Sequence, residues 1–170
     1  MSREDLEPSA DRAAATAGVG LAGSAGSKRE RDRLEGFLQR HSAAIDRRDL
    51  AALAAHYTAE AIIVSPMFAT LQGRPAIEAS FRSLFTAFPD WKMQTDAVMI
   101  DPPQAALFVT AQATHEAEFF GIPATHKRFE VQMARYMTFA NGLIAHERRV
   151  YDFTGLLVQI GVLRAKPAEP

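Results

Sequence analysis

The spacing of hydrophobic positions changes period once along the chain, near residue 89. Over 30–48, Leu34, Phe37, Leu38 and Ile45 recur at helical spacing between Arg, Asp and Gln, which predicts an amphipathic helix. Asp49 is placed to cap a short second helix over 50–57, and 61–64 is a β-branched run that Pro66 breaks. Gly73, Arg74 and Pro75 introduce a third helix, whose apolar stripe of Ile77, Phe81, Leu84, Phe85 and Phe88 stops at Pro89. Beyond Pro89 the period becomes two, and four strands are predicted over 91–100, 105–119, 127–139 and 143–151. Turns are marked by Pro102-Pro103, Gly121-Ile122-Pro123 and Asn141-Gly142, the last a strong hairpin signal. Three helices followed by an antiparallel meander predict an α+β fold in which the sheet curls around the helices.

The ends of the chain carry no such pattern. Of the 19 residues in 9–27, 14 are Ala, Gly or Ser, and Val19 and Leu21 are the only large apolar residues. Gly18, Gly20, Gly23 and Gly26 would each cost a helix about 1 kcal/mol. The expected organisation is a flexible tail over 1–29, one domain over 30–165 and a short tail over 166–170.

Composition narrows the function. A chain of 170 residues with 48% hydrophobic and 23% charged residues suits one globular domain with a core that needs no staples. Nineteen Lys and Arg balance twenty Asp and Glu, and the only basic run is Lys28, Arg29, Arg31 and Arg33, which argues against nucleic acid as a partner. The absence of cysteine removes disulfides, thiolate nucleophiles and cysteine-ligated metals. No apolar stretch approaches the roughly 20 residues of a membrane span, and the N-terminus lacks a signal-peptide pattern, so a cytoplasmic protein without a membrane partner is expected. The five histidines form no His-x-x-x-His pair and there is no phosphate loop or nucleophile elbow, so no metal and no cofactor is expected.

Strand parity selects the candidates for chemistry. Leu107, Val109, Ala111, Ala113, His115, Ala117 and Phe119 share one face, on which His115 is the only titratable residue and the alanines leave room for a ligand. Both a core histidine bonded to a backbone carbonyl and an acid or base are open for it. Phe129, Val131, Met133, Arg135, Met137 and Phe139 share the next face, where a buried Arg135 requires a carboxylate partner or a ligand. Parity fails to separate an inward from an outward set in 143–151, and the ordinary reading of Glu147, Arg148 and Arg149 is a solvated or ion-paired sheet edge. Asp152 precedes an apolar segment running from Phe153 to Leu163. At the rim of an apolar cavity its pKa would rise toward that of a base for carbon acids; the local sequence alone favours a helix N-cap.

Asp49-Leu50 with Tyr57, Gly73-Arg74, Ala87-Phe88-Pro89-Asp90, Thr114-His115, Phe119-Phe120-Gly121-Ile122-Pro123, Asn141-Gly142, and Asp152 with Gly155-Leu156-Leu157 and Gln159-Ile160-Gly161-Val162-Leu163 occur in an order that resembles the SnoaL-like polyketide cyclases, also called ester cyclases, of the nuclear transport factor 2-like superfamily. The resemblance spans about 34–163. It implies a cone-shaped α+β roll with a deep pocket between curved sheet and helices, and a cofactor-free aldol-type cyclisation in which an aspartate removes a proton from an activated carbon. On this resemblance Asp152 is the base and His115 polarises a carbonyl or positions the base; Trp91, Phe119, Met133 and Arg135 are the residues expected to line the pocket. Ala113 and Ala117 stand where the family motif has glycines, and Arg148 where it often has an aromatic residue. The expectation is a lyase or isomerase of the cyclase type acting on a small carbonyl compound. Its rivals are a dehydratase or epoxide hydrolase in the same pocket, and a non-catalytic ligand-binding or dimerisation module. A homodimer through the outer sheet face, with Phe108, Phe120 and Tyr136 exposed, is also implied.

Overall fold

A computed structural model describes residues 25–164. Residues 1–24 of the tail expected over 1–29, and the end of the chain from 165, lie outside the described residues. Helix α1 spans Ala25–Asp46, α2 Leu50–Ala55, strand β1 Tyr57–Ser65, β2 Ala69–Gln72, α3 Gly73–Ala87, β3 Lys92–Asp101, β4 Gln104–Thr114, β5 Arg128–Ala140, β6 Leu143–Tyr151 and α4 Phe153–Gln159. The first helix therefore begins five residues before the predicted start, inside the segment expected to be tail.

One six-stranded sheet has the order β2-β1-β6-β5-β4-β3, with α1 against β3, α3 against β1 and α4 against β5. The α+β class is as the pattern predicts, but the sheet is mixed: β1 pairs with β6 in parallel, while every other pairing is antiparallel. The short edge strand β2 has no counterpart in the prediction. Its burial pattern is exposed on three of four residues, so no alternation marked it.

Local chemistry explains the boundaries. Asp49 caps α2 by accepting a hydrogen bond from the Ala52 N–H at 3.0 Å. Arg74 Nε donates to the Tyr57 carbonyl at 2.6 Å and ties the start of α3 to the start of β1. Asn141 and Gly142 both adopt positive φ, 53° and 73°, the backbone that lets a two-residue turn follow the twist of β5 and β6. Strand β4 ends at Thr114, earlier than predicted, because the N–H groups of Glu116 and Ala117 turn to the Ala87 carbonyl at the end of α3, at 2.9 and 3.3 Å.

The alternating faces hold. Ala105, Leu107, Val109, Ala111, Ala113 and His115 are buried, as are Phe129, Val131, Met133, Arg135, Met137 and Phe139. In β6 the alternation breaks: Phe139 faces Ile144 and Thr138 faces His146, leaving Ala145 as an extra residue. This bulge turns Glu147, Arg149 and Tyr151 to the inner side on which Ile144 already lies. Phe108 and Tyr136 are exposed on the outer sheet face with Val150, whereas Phe120 sits in the turn between Phe119 and Ile122.

Candidate active site

The centre of the inner face is a buried ionic cluster. Glu147 is fully buried, and its Oε1 accepts from Arg135 Nε at 2.8 Å and from Arg149 Nε at 2.7 Å. Its Oε2 accepts from the Tyr57 hydroxyl at 2.6 Å and from Arg149 Nη2 at 3.2 Å. Burial alone would raise the Glu147 pKa, but the two guanidinium groups hold it well below the usual carboxylate range. Burial and the adjacent carboxylate push the Tyr57 phenol up, so it stays a neutral donor. The sheet-edge reading of Glu147 and Arg149 is thus corrected, because the bulge at Ala145 moves both inward; Arg148 alone of the three is exposed.

Arg135 also donates from Nη2 to His41 Nε2 at 3.1 Å, and His41 Nδ1 lies 3.2 Å from His56 Nδ1. Because arginine only donates, His41 Nε2 must be the acceptor, which places the His41 proton on Nδ1, directed at His56. Burial first, and then the Arg135 charge, keep His41 neutral by pulling its pKa well below 6.5. The sequence carried a trace of this residue: His41 lies one turn from Phe37 and from Ile45 on the apolar stripe of α1.

A narrow apolar cavity of about 40 Å³ lies against this cluster. Arg135 and Arg149 line it together with Ile45, Phe81, Trp91 and Met133, and the Arg149 guanidinium stands 5.5 Å from the Phe81 ring centroid. Three of the four expected lining residues, Trp91, Met133 and Arg135, meet here. The fourth, Phe119, lines a second apolar cavity of about 210 Å³ with Phe88, His115 and Ile160. Met67 and Leu156 border both cavities, so the two compartments are neighbours.

His115 is fully buried just beyond β4. Asp90 accepts hydrogen bonds from the N–H and hydroxyl of Thr114, both at 2.7 Å, and the His115 backbone pairs with Lys127 and His126. The residues Ala87 to Asp90 thus hold Thr114 and His115 in place from the end of α3. The imidazole packs on Phe88 at 5.4 Å between centroids, and its Nδ1 lies 3.2 Å from Thr125 Oγ1. Its Nε2 is the one buried side-chain polar atom without a hydrogen-bond partner among the described residues. Burial pulls the His115 pKa below 6.5, more than hydrogen bonding with the Ala117 backbone raises it. The ring is therefore neutral at pH 7, with room for a free lone pair on Nε2 when the proton is on Nδ1.

Asp152 is placed elsewhere. It is exposed and caps α4, its Oδ1 accepting from the Gly155 N–H at 2.7 Å. The local chemistry places Asp152 as a cap: it lines neither apolar cavity, whereas the next residue, Phe153, lines the second. A Cβ on Gly155 would collide with the Asp152 carboxylate, which gives the Gly-Leu-Leu segment a structural reason for its glycine. Among the described residues no helix is long and apolar enough to cross a membrane.

No curated protein matches the sequence significantly. Solved structures that resemble the fold include AclR from Streptomyces galilaeus, proposed as a hydroxylase, with 24% identity over 81% of this chain and 86% of that one at a TM-score of 0.69. A proposed SnoaL-like polyketide cyclase from Jannaschia sp. CCS1 covers 87% of this chain and 100% of its own at 16% identity and a TM-score of 0.71. IdmH from Streptomyces antibioticus, proposed as a polyketide cyclase, covers 76% and 96% at 22% identity and a TM-score of 0.62. At these identities the likeness is one of fold. The family model for SnoaL-like polyketide cyclases matches residues 36–160, which takes in both cavities and the ionic cluster. On that match, the chain belongs to the SnoaL-like polyketide cyclase family.

Proposed function

We propose that the protein is a cofactor-independent enzyme of the cyclase type, acting on a small, largely apolar carbonyl compound held in the paired cavities. The observation that carries this reading is His115 Nε2, a buried ring nitrogen without a protein partner in the wall of an apolar cavity. Leaving such a group unpaired costs about 1–3 kcal/mol, a cost that a ligand's proton or donor group offsets. In the proposed reaction, Nε2 takes a proton from the carbon next to a carbonyl, and the C–H electron pair passes to the carbonyl oxygen as an enolate. The enolate carbon attacks a second carbonyl of the same molecule, and the resulting alkoxide recovers the proton from the imidazolium.

Asp152 keeps a place in this reading as the residue that seats α4, whose Leu156 borders both cavities, instead of as the base. That capping role also favours a rival, a binding module without turnover. Screening of carbonyl compounds with product analysis decides between them: His115→Phe should lower turnover about a hundredfold or more while the fold persists. Full turnover in that variant contradicts the proposal. Self-association through Phe108, Tyr136 and Val150, which are 47%, 40% and 60% exposed on the outer sheet face, belongs to the same proposal and is read by sedimentation equilibrium.

A further inference from the structure

The ionic cluster does not balance. Arg135 and Arg149 bring two cations to the inner face, Glu147 brings one carboxylate, Tyr57 is a neutral donor and His41 accepts from Arg135 as a neutral ring. The Arg135 side chain is 2% exposed and that of Arg149 10%, so bulk water does little to spread the surplus charge. Both arginines line the first cavity, yet their bonds within the cluster are made through Nε and Nη2. Nη1 of each takes part in none of the hydrogen bonds found among the described residues. The rest of the lining is apolar except for the Trp91 indole N–H and the Tyr151 hydroxyl, whose oxygen already accepts from the Met67 N–H at 3.2 Å.

A buried cation without a counterion is costly, and such charges are paired or hold a ligand. We propose that this wall is an anion-recognition subsite, and that the substrate carries a carboxylate that docks on the Nη1 edges of Arg135 and Arg149. A single surplus positive charge matches one carboxylate; a phosphate dianion would leave a second negative charge uncompensated in an apolar cavity. Charge-assisted bonds from a guanidinium fix both position and orientation of a carboxylate. The proposal rests on the reading that these cavities receive the substrate. It makes that substrate a carbonyl compound with an acid at one end, anchored in the first cavity and extending past Met67 and Leu156 toward His115.

Trp91 lines the first cavity and is the only tryptophan in the chain, so its emission reports occupancy directly. The probes are octanoate and its neutral counterpart octanamide, titrated into the wild-type protein and into Arg149→Met, which leaves Arg135 and Glu147 as a balanced pair. Octanoate should bind wild type about ten- to a hundredfold tighter than octanamide, and the variant should lose that preference while still binding the amide. A second measurement needs no variant: octanoate, but not octanamide, should shift the Nε–H NMR signals of Arg135 and Arg149 in the wild type. Equal affinity for acid and amide, no saturable binding of octanoate, or unmoved arginine signals would overturn the proposal. Equal affinity would still leave the apolar cavity as a ligand site and His115 as its base. An acid preference combined with full turnover by His115→Phe would sink the catalytic reading and keep the anion subsite.

Discussion

Replacing Glu147 with glutamine removes one negative charge and almost no volume, and it isolates what the carboxylate does for the fold. In the wild type that carboxylate accepts four hydrogen bonds, three of them from guanidinium nitrogens of Arg135 and Arg149. The variant leaves two cations inside the sheet with no counterion, and removing one member of a buried pair costs about 3–5 kcal/mol. Against a total stability of about 5–15 kcal/mol that is a large fraction. With about 2–4 °C of melting temperature per kcal/mol for a domain of this size, the midpoint should fall by roughly 6–20 °C. Urea and thermal unfolding followed by far-UV circular dichroism read both quantities. Charge counting adds a sharper condition: Arg149→Met leaves one cation facing one carboxylate and should cost less than Glu147→Gln. The reasoning is refuted if Glu147→Gln costs under about 1 kcal/mol, as an exposed pair would, or if the two variants cost the same.

Other expectations follow from the same geometry. Burial lowers the pKa of His41 and His56 below 6.5, so the unfolded chain binds protons that the folded one refuses. Stability should therefore be full above about pH 6.5 and decline as the pH falls below it. A further loss comes below about 4.5, where Glu147 of the unfolded chain takes up a proton that the folded carboxylate, whose pKa is depressed, refuses. Urea midpoints measured across that range check the sign, and greater stability at pH 5.5 than at pH 7.5 would contradict it. Asp152→Asn should keep both the α4 cap and turnover, whereas Asp152→Ala should lose about 1 kcal/mol in a denaturation curve. A turnover collapse in the asparagine variant, with stability unchanged, would return Asp152 to the chemistry. Gly155→Ala should destabilise by a similar amount, because its methyl group displaces the capping carboxylate.

What the chain discloses before folding depends on whether a local period survives. The stripes from Ile77 to Phe88 and from Phe129 to Phe139 repeat without interruption, so α3 and β5 and their inner faces are legible, and a buried Arg135 already demands a partner. The partner itself is hidden by the bulge at Ala145, which reverses parity within β6 and makes Glu147 and Arg149 read as surface charges. Tyr57 and His41 reach the cluster from β1 and α1, across separations of 90 and 94 residues, which no local pattern encodes. Asp152 illustrates the opposite case. Its local sequence pointed to a cap, family resemblance pointed to a base, and the backbone bond to Gly155 agrees with the local chemistry. Parallel pairing of β1 with β6 was also out of reach, since a run of Ala, Ile and Val carries no sign of strand direction.

The central claim is that His115 presents a neutral ring with a free lone pair to an apolar cavity. Long-range ¹H–¹⁵N NMR correlation of the histidine rings, followed across pH, tests it most directly. The account predicts a His115 ring that is neutral at pH 7, titrates below 6.5 and carries its proton on Nδ1, leaving Nε2 with the chemical shift of an unprotonated nitrogen. A His115 ring charged at pH 7, or one with its proton on Nε2, would contradict it.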